Sequence, residues 1–163
     1  MEMIEVKTAD LIGAALRYAV AVTVGCEVQR IEEGDWKNGE AHWWEAINPR
    51  CVTAKSRGLV GYIKPGRKGV TSCYDYCPDA DWKEGGPLIA HYQVALIPEA
   101  HDGMEGTEMS ERWYANVYYA GGEEYTTEHC ETPLVAACQA IVATKFGDTV
   151  LVPRELVGAS SSD

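Results

Sequence analysis

Gly66-Arg67-Lys68-Gly69 sets two adjacent cations between glycines, a pattern whose backbone amides and side chains can wrap an anion. The chain runs from it straight into Tyr74, Tyr76 and Trp82. Arginine or lysine on a phosphate, with an aromatic face on a base, is the physical requirement for holding a small nucleotide. A second group follows in Asp81-Trp82-Lys83 and Gly85-Gly86-Pro87. Its glycines permit close backbone approach, and Trp82 offers a ring to stack on. The expected ligand-binding set is therefore Arg67, Lys68, Tyr74, Asp81, Trp82, Lys83, Gly85 and Gly86. The same residue types also suit structural work, with Asp81 capping a helix and Trp82 anchoring it in a core.

Other chemistry has weaker support. The chain has no Walker pattern and no nucleophile elbow. His129 and Cys130 are neighbours in sequence, a spacing that seldom lets two side chains face each other usefully. Asp81 with Glu84 is a carboxylate pair of the kind used in acid–base catalysis, but in an acidic chain such pairs usually cap and solvate. Cys73-x3-Cys77 and Cys130-x7-Cys138 do not have zinc-finger or knuckle spacing, and Cys138 falls on the core side of a predicted helix. No catalytic residue, metal or cofactor is expected.

The charge balance narrows the partners. Fourteen Lys and Arg against 25 Asp and Glu give a net charge of −11 over 163 residues. An acidic body repels duplex nucleic acid and anionic membranes. Yet no acidic residue lies between Glu45 and Asp75, a stretch holding Arg50, Lys55, Arg57, Lys64, Arg67 and Lys68. That +6 segment leaves −17 elsewhere, and it reads either as a local anion site or as a solvated basic loop. Residues 1–20 lack the pattern of a secretion signal, and the apolar run Ile12–Val24 is broken by Arg17 and too short to span a bilayer. A cytoplasmic protein with six reduced cysteines is the expectation.

These residues need a frame. Length and composition indicate one domain over residues 1–157, with a disordered tail at 158–163. A helix is predicted over residues 8–24, with Thr8 as N-cap, Gly25 as stop, and Leu11, Ala15, Tyr18 and Val22 on one face. A second is predicted over 133–146, opened by Thr132-Pro133 and closed by Gly147. Leu134, Cys138, Ile141 and Lys145 share a face of it. Both helices nearly lack an outer charged stripe, so each is expected to be covered on more than one side, by a sheet and a helix or by a second subunit. A short helix opening at Asp79 must tolerate Gly85-Gly86-Pro87. Strands are predicted at 112–119, 92–97 and 149–152, with a hairpin of 59–64 and 70–74 across 65–69. The fold class is α+β: an antiparallel sheet of about four to six strands packed, as a single layered sandwich, with two long alanine-rich helices and a short one.

Several segments together resemble one family. They are Val6-Lys7-Thr8-Ala9-Asp10-Leu11, Gly13-Ala14-Ala15-Leu16, Ala19-Val20-Ala21, Asp81-Trp82 with Gly85-Gly86-Pro87-Leu88-Ile89, and Trp113-Tyr114-Ala115. Thr132-Pro133-Leu134-Val135-Ala136-Ala137 and Val142-Ala143-Thr144-Lys145-Phe146-Gly147-Asp148 complete the set. The chain resembles the NinX-like family of small tailed-phage accessory proteins over nearly its whole length apart from the middle. The resemblance implies a phage-encoded α+β protein in the cytoplasm of the infected bacterium, and it implies no defined chemistry. This chain reads Asp79-Ala80-Asp81-Trp82 where members tend to show Ser-Thr-Asp-Trp, and it carries extra length around residues 35–77.

Three functions follow in order of expectation. The first is a non-enzymatic counter-defence binder that sequesters a small nucleotide-type signal. The second is an acidic adaptor that masks a host protein. The third is a hydrolase of a nucleotide signal. A homo-oligomer is expected, with no duplex nucleic acid and no membrane as partner.

Overall fold

Thr132 accepts a hydrogen bond from the Val135 amide at 3.1 Å, Pro133 takes the first turn, and Gly147 at φ 72° ends the helix between them. This is α3 (Pro133–Phe146), 14 residues with no charge before Lys145. Leu134 and every residue from Ala136 to Ala143 are buried, so the helix has almost no outward face. The computed structural model describes residues 2–31, 59–63, 65–66, 70–72, 76–99, 112–119 and 122–157.

The other elements assemble on α3. They are β1 (Met3–Lys7), α1 (Gly13–Thr23), β2 (Glu27–Ile31), β3 (Leu59–Ile63), β4 (Val70–Ser72) and α2 (Trp82–Tyr92). Then come β5 (Ala95–Pro98), β6 (Trp113–Tyr119), β7 (Glu123–Thr126) and, after α3, β8 (Thr149–Pro153). One side of α3, through Cys138 and Val142, packs into a core with Leu16, Ala19 and Val20 of α1, Val150 and Val152 of β8, and Tyr62 and Tyr76. Its other side, through Ala136, Ala137, Ala140 and Ile141, packs on Val94 and on Ala115 and Val117 of β6. Fully burying a side chain such as Leu16 or Val20 stabilises by roughly 1.5–3 kcal/mol. The alanines add little area themselves but let neighbouring elements approach the helix closely.

The strands are antiparallel, as expected, but the described ones divide into three ladders: β1-β8, β2-β3-β4 and β5-β6-β7. The predicted hairpin forms, with Gly61 opposite Ser72 and Ile63 opposite Val70. The α+β class holds. The helix lengths differ from expectation, since α1 and α2 have 11 residues each. The elements that cover α3 all belong to this chain, so its charge-poor surface needs no second subunit. The tail at 158–163 lies outside the described residues.

Four local expectations are corrected. Thr8 does not cap a helix. It starts a 3-10 turn (Thr8–Asp10), is fully buried, and donates from its hydroxyl to the Gly147 carbonyl at 2.6 Å. Its amide donates to the Asp148 carbonyl at 2.8 Å. Leu11 and Ile12 are extended, and α1 opens only at Gly13, where φ is 57°. Buried Gln139 holds that break in place, donating to the carbonyl of Leu11 at 3.0 Å and accepting from the Cys130 thiol at 3.4 Å. The buried face of α1 centres on Ala15, Leu16, Ala19 and Val20, while Tyr18 and Val22 are half-buried. Tyr92 ends α2 rather than starting a strand, because Gln93 turns left-handed at φ 55°.

Candidate functional site

Asp79 does not open α2. Its carboxylate meets the Arg17 guanidinium at 2.7 Å, with both side chains nearly buried. Arg17, the one charge in the apolar run of α1, thereby fixes the loop that leads into α2. The cap falls two residues later. Asp81 accepts from the Lys83 amide at 2.9 Å, and Glu84 sits in the first turn, where the helix dipole favours a carboxylate.

The glycines of α2 have separate roles. A Cβ at Gly85 would stand 2.7 Å from Leu134 Cδ2 and closer still to the Pro78 carbonyl oxygen. Gly85 is therefore needed where α2 crosses onto α3. A Cβ at Gly86 meets nothing within 4 Å. Pro87 lies inside the helix and has no amide to donate to the Lys83 carbonyl.

The free side of α2 forms one wall of a cleft of about 580 Å³. Asp81, Lys83, Glu84, Pro87, Leu88, His91 and Tyr92 line that wall. Val24 and Cys26, after the end of α1, Pro65 from the β3–β4 turn, and Tyr76 complete the lining. Tyr76 is buried and meets Tyr62 edge-on, with ring centroids 5.3 Å apart. Burial first, then the neighbouring Cys26, Glu84, Cys138 and Tyr92, push its phenol far above the ordinary range, so it is neutral throughout the physiological range. Burial also raises the Tyr92 phenol. The cleft thus joins an apolar and aromatic lining to carboxylates and two potential cations, Lys83 and His91, the composition and size of a small-molecule site, roughly 300–1,000 Å³.

Of the residues expected to bind, Asp81 and Lys83 line the cleft. Trp82 does not, and at 55% exposure it is not a core anchor either. Gly85 faces α3, and Gly86 is open on its own side of the helix. Arg67, Lys68 and Tyr74 lie outside the described residues. Tyr76 and Glu84 stand out in the sequence for their chemistry, whereas Cys26, His91 and Tyr92 do not. The α2 spacing carried a signal for these last two: Lys83, Pro87, Leu88, His91 and Tyr92 recur at three- and four-residue steps on one helix face. Cys26 had none, because only the fold brings it to Tyr76. Cys138 is a buried free thiol raised far above its usual range, chiefly by desolvation.

Among the described residues no helix is long and apolar enough to cross a membrane. The sequence model of the family described as Bacteriophage P22, NinX matches residues 7–145. No curated protein matches the chain. The matched span includes α1, the Arg17–Asp79 pair, all of α2 and most of α3.

Proposed function

We propose that this chain, which belongs to the Bacteriophage P22 NinX family, is a non-enzymatic binding protein that captures a small nucleotide-type molecule in the cleft beside α2. The observation that carries the reading is the cleft itself: about 580 Å³, with Tyr76 and Tyr92 among apolar neighbours and Lys83 and His91 for an anionic group. A ring held against tyrosine and leucine, with its phosphate directed to Lys83, uses both halves of that lining. Pro65, from the turn between β3 and β4, lines the same cleft. In the cytoplasm of an infected host, sequestering a signalling nucleotide is the counter-defence role that fits such a binder.

The test is calorimetric titration and thermal shift of the purified chain with nucleoside monophosphates, cyclic mononucleotides and cyclic dinucleotides. Binding of one class at a hundred times its dissociation constant should stabilise the fold by about 2.7 kcal/mol. For a domain of this size that is a rise of roughly 5–11 °C. The ligand should be recovered unchanged after the protein is denatured. Lys83→Glu should weaken capture without unfolding the chain. No stabilisation by any of these compounds sinks the reading, and recovery of a cleaved ligand turns it into a hydrolase.

A further inference from the structure

We propose that two copies of this chain pair through the outer edge of β1, antiparallel about a twofold axis at Val6. No residue of β1 lines the cleft, so the inference stands apart from the nucleotide reading. Strands β1 and β8 form a two-stranded ribbon, and each has one edge without a neighbouring strand among the described residues. The ladder fixes what each edge offers. The Thr8 amide donates to the Asp148 carbonyl at 2.8 Å and the Arg154 amide to the Glu2 carbonyl at 2.9 Å. Both bonds continue the register that sets Val6 opposite Val150 and Ile4 opposite Val152. Backbone groups alternate in direction along a strand, so Met3, Glu5 and Lys7 send their amides and carbonyls away from β8. On β8 the outward set is Thr149, Leu151 and Pro153, and the proline has no amide to give. The complete edge is therefore that of β1. Helices α1 and α3 lie chiefly against β8, which makes β1 the outer strand. Burial follows the same gradient. Val150 and Val152 are buried, whereas Ile4 and Val6, on the same face of the ribbon, are only half-buried.

A second β1 fits this edge because the strand is complementary to itself. With the axis at Val6, Glu5 faces Lys7 of the partner subunit, and Lys7 faces the partner's Glu5. Both pairs fall where backbone groups point across the edge, so each couples two backbone hydrogen bonds to opposite charges. Val6 meets the partner's Val6 at the closer, non-hydrogen-bonded position, on the half-buried face. An axis at Glu5 would set two carboxylates against each other, and an axis at Ile4 would set Glu5 against Met3. Glu5 and Lys7 are exposed, and neither has an ion-pair partner among the described residues. The ribbon is also locally neutral on a chain of net charge −11: Glu5 offsets Lys7, and Glu2 meets Arg154 at 3.6 Å. Like-charged bodies can therefore approach here.

The experiment is sedimentation velocity of the full chain from about 10 μM to about 1 mM, the range of weak specific association. A reversible dimer should form as concentration rises, and amide exchange at Glu5 and Lys7 should slow with it. Glu5→Lys and Lys7→Glu each place like charges opposite one another at both pairs, and each should weaken the dimer about tenfold or more. Mixed in equal amounts, the two variants should associate again, because the two lysines of one then face the two glutamates of the other. The double variant Glu5→Lys, Lys7→Glu should dimerise on its own. Circular dichroism of each variant separates a lost contact from a lost fold. A wild-type chain that stays monomeric throughout overturns the proposal. So does a dimer indifferent to both charge reversals, or a pair of single variants that fail to associate when mixed.

Discussion

Gly85 and Gly86 are adjacent in one helix, yet alanine should act on them with opposite sign. Replacing glycine by alanine inside a helix gains about 0.8–1 kcal/mol from backbone entropy and propensity. At Gly86 nothing lies within 4 Å of the new methyl, so Gly86→Ala should realise most of that gain. At Gly85 the methyl would stand 2.7 Å from Leu134 Cδ2 and nearer still to the Pro78 carbonyl oxygen. That second neighbour is backbone, held in the loop that Asp79 pins to Arg17, so it cannot swing aside as a side-chain tip would. Overpacking of this kind costs about 1–3 kcal/mol, and the backbone clash puts Gly85 at the upper end. Net of the propensity gain, Gly85→Ala should lose about 1–2 kcal/mol. At 2–4 °C per kcal/mol for a domain of this size, its midpoint should fall by roughly 2–8 °C while that of Gly86→Ala rises by roughly 2–4 °C. Urea and thermal unfolding of the two variants measure this directly. If Gly85→Ala is as stable as the wild-type chain, α2 does not cross α3 as closely as described, and the placement of the cleft wall fails with it.

Asp79→Ala removes the carboxylate that meets the nearly buried Arg17 guanidinium at 2.7 Å, a loss of about 3 kcal/mol in urea unfolding; the double variant Arg17→Met, Asp79→Leu should recover much of it, and a single-variant loss below about 1 kcal/mol would contradict the assignment. Thr8→Val keeps the volume but removes the donor to the Gly147 carbonyl, and should destabilise by about 1–2 kcal/mol, with no change pointing to a different tie for the amino-terminal strand. Stability should also fall in alkali. The Cys138 thiol and Tyr76 phenol both titrate higher in the fold than their ordinary values of 9.0 and 10.0, so above pH 9, and again above 10, the unfolded chain loses protons that the fold retains. Each group then removes up to about 1.4 kcal/mol per pH unit, and its contribution is fully present below those values. Cys138→Ala should shrink the earlier of the two declines in unfolding free energy, the Cys130 thiol, also raised by burial, supplying the remainder, and a profile unchanged by the substitution would argue against burial of Cys138.

Legibility in the sequence followed the range of the interactions involved. Helix α3 was readable to the residue because its start and stop lie within it and at its edges: Thr132 and Pro133 at one end, Gly147 at the other. Strand β6 was readable because its alternation is long and aromatic. The start of α1 was misread because the Thr8 hydroxyl is claimed by Gly147, 139 residues away, and no local rule contains that partner. Strand β1 was missed for a similar reason. Among the described residues its partner strand is β8, at the far end of the described chain. At α2 the turn chemistry of Gly-Gly-Pro and the cap chemistry of Asp81 conflict locally, and the close crossing over Leu134 explains why the helix keeps Gly85. The candidate site was half legible. Asp81, Lys83, Glu84 and Tyr76 drew notice as chemistry, whereas Cys26 and Val24 join them only once the end of α1 is set beside α2.

Because α3 contributes one side to each of two cores, it is their common partition rather than a member of either. Loosening the α1 side exposes Cys138 and Val142 and leaves the alanines that face β6 without a rigid backing. Melting the β6 side does the same in reverse. The described elements therefore have no free-standing half to retain, and their unfolding should be a single concerted transition in which circular dichroism and buried-tyrosine fluorescence report the same midpoint.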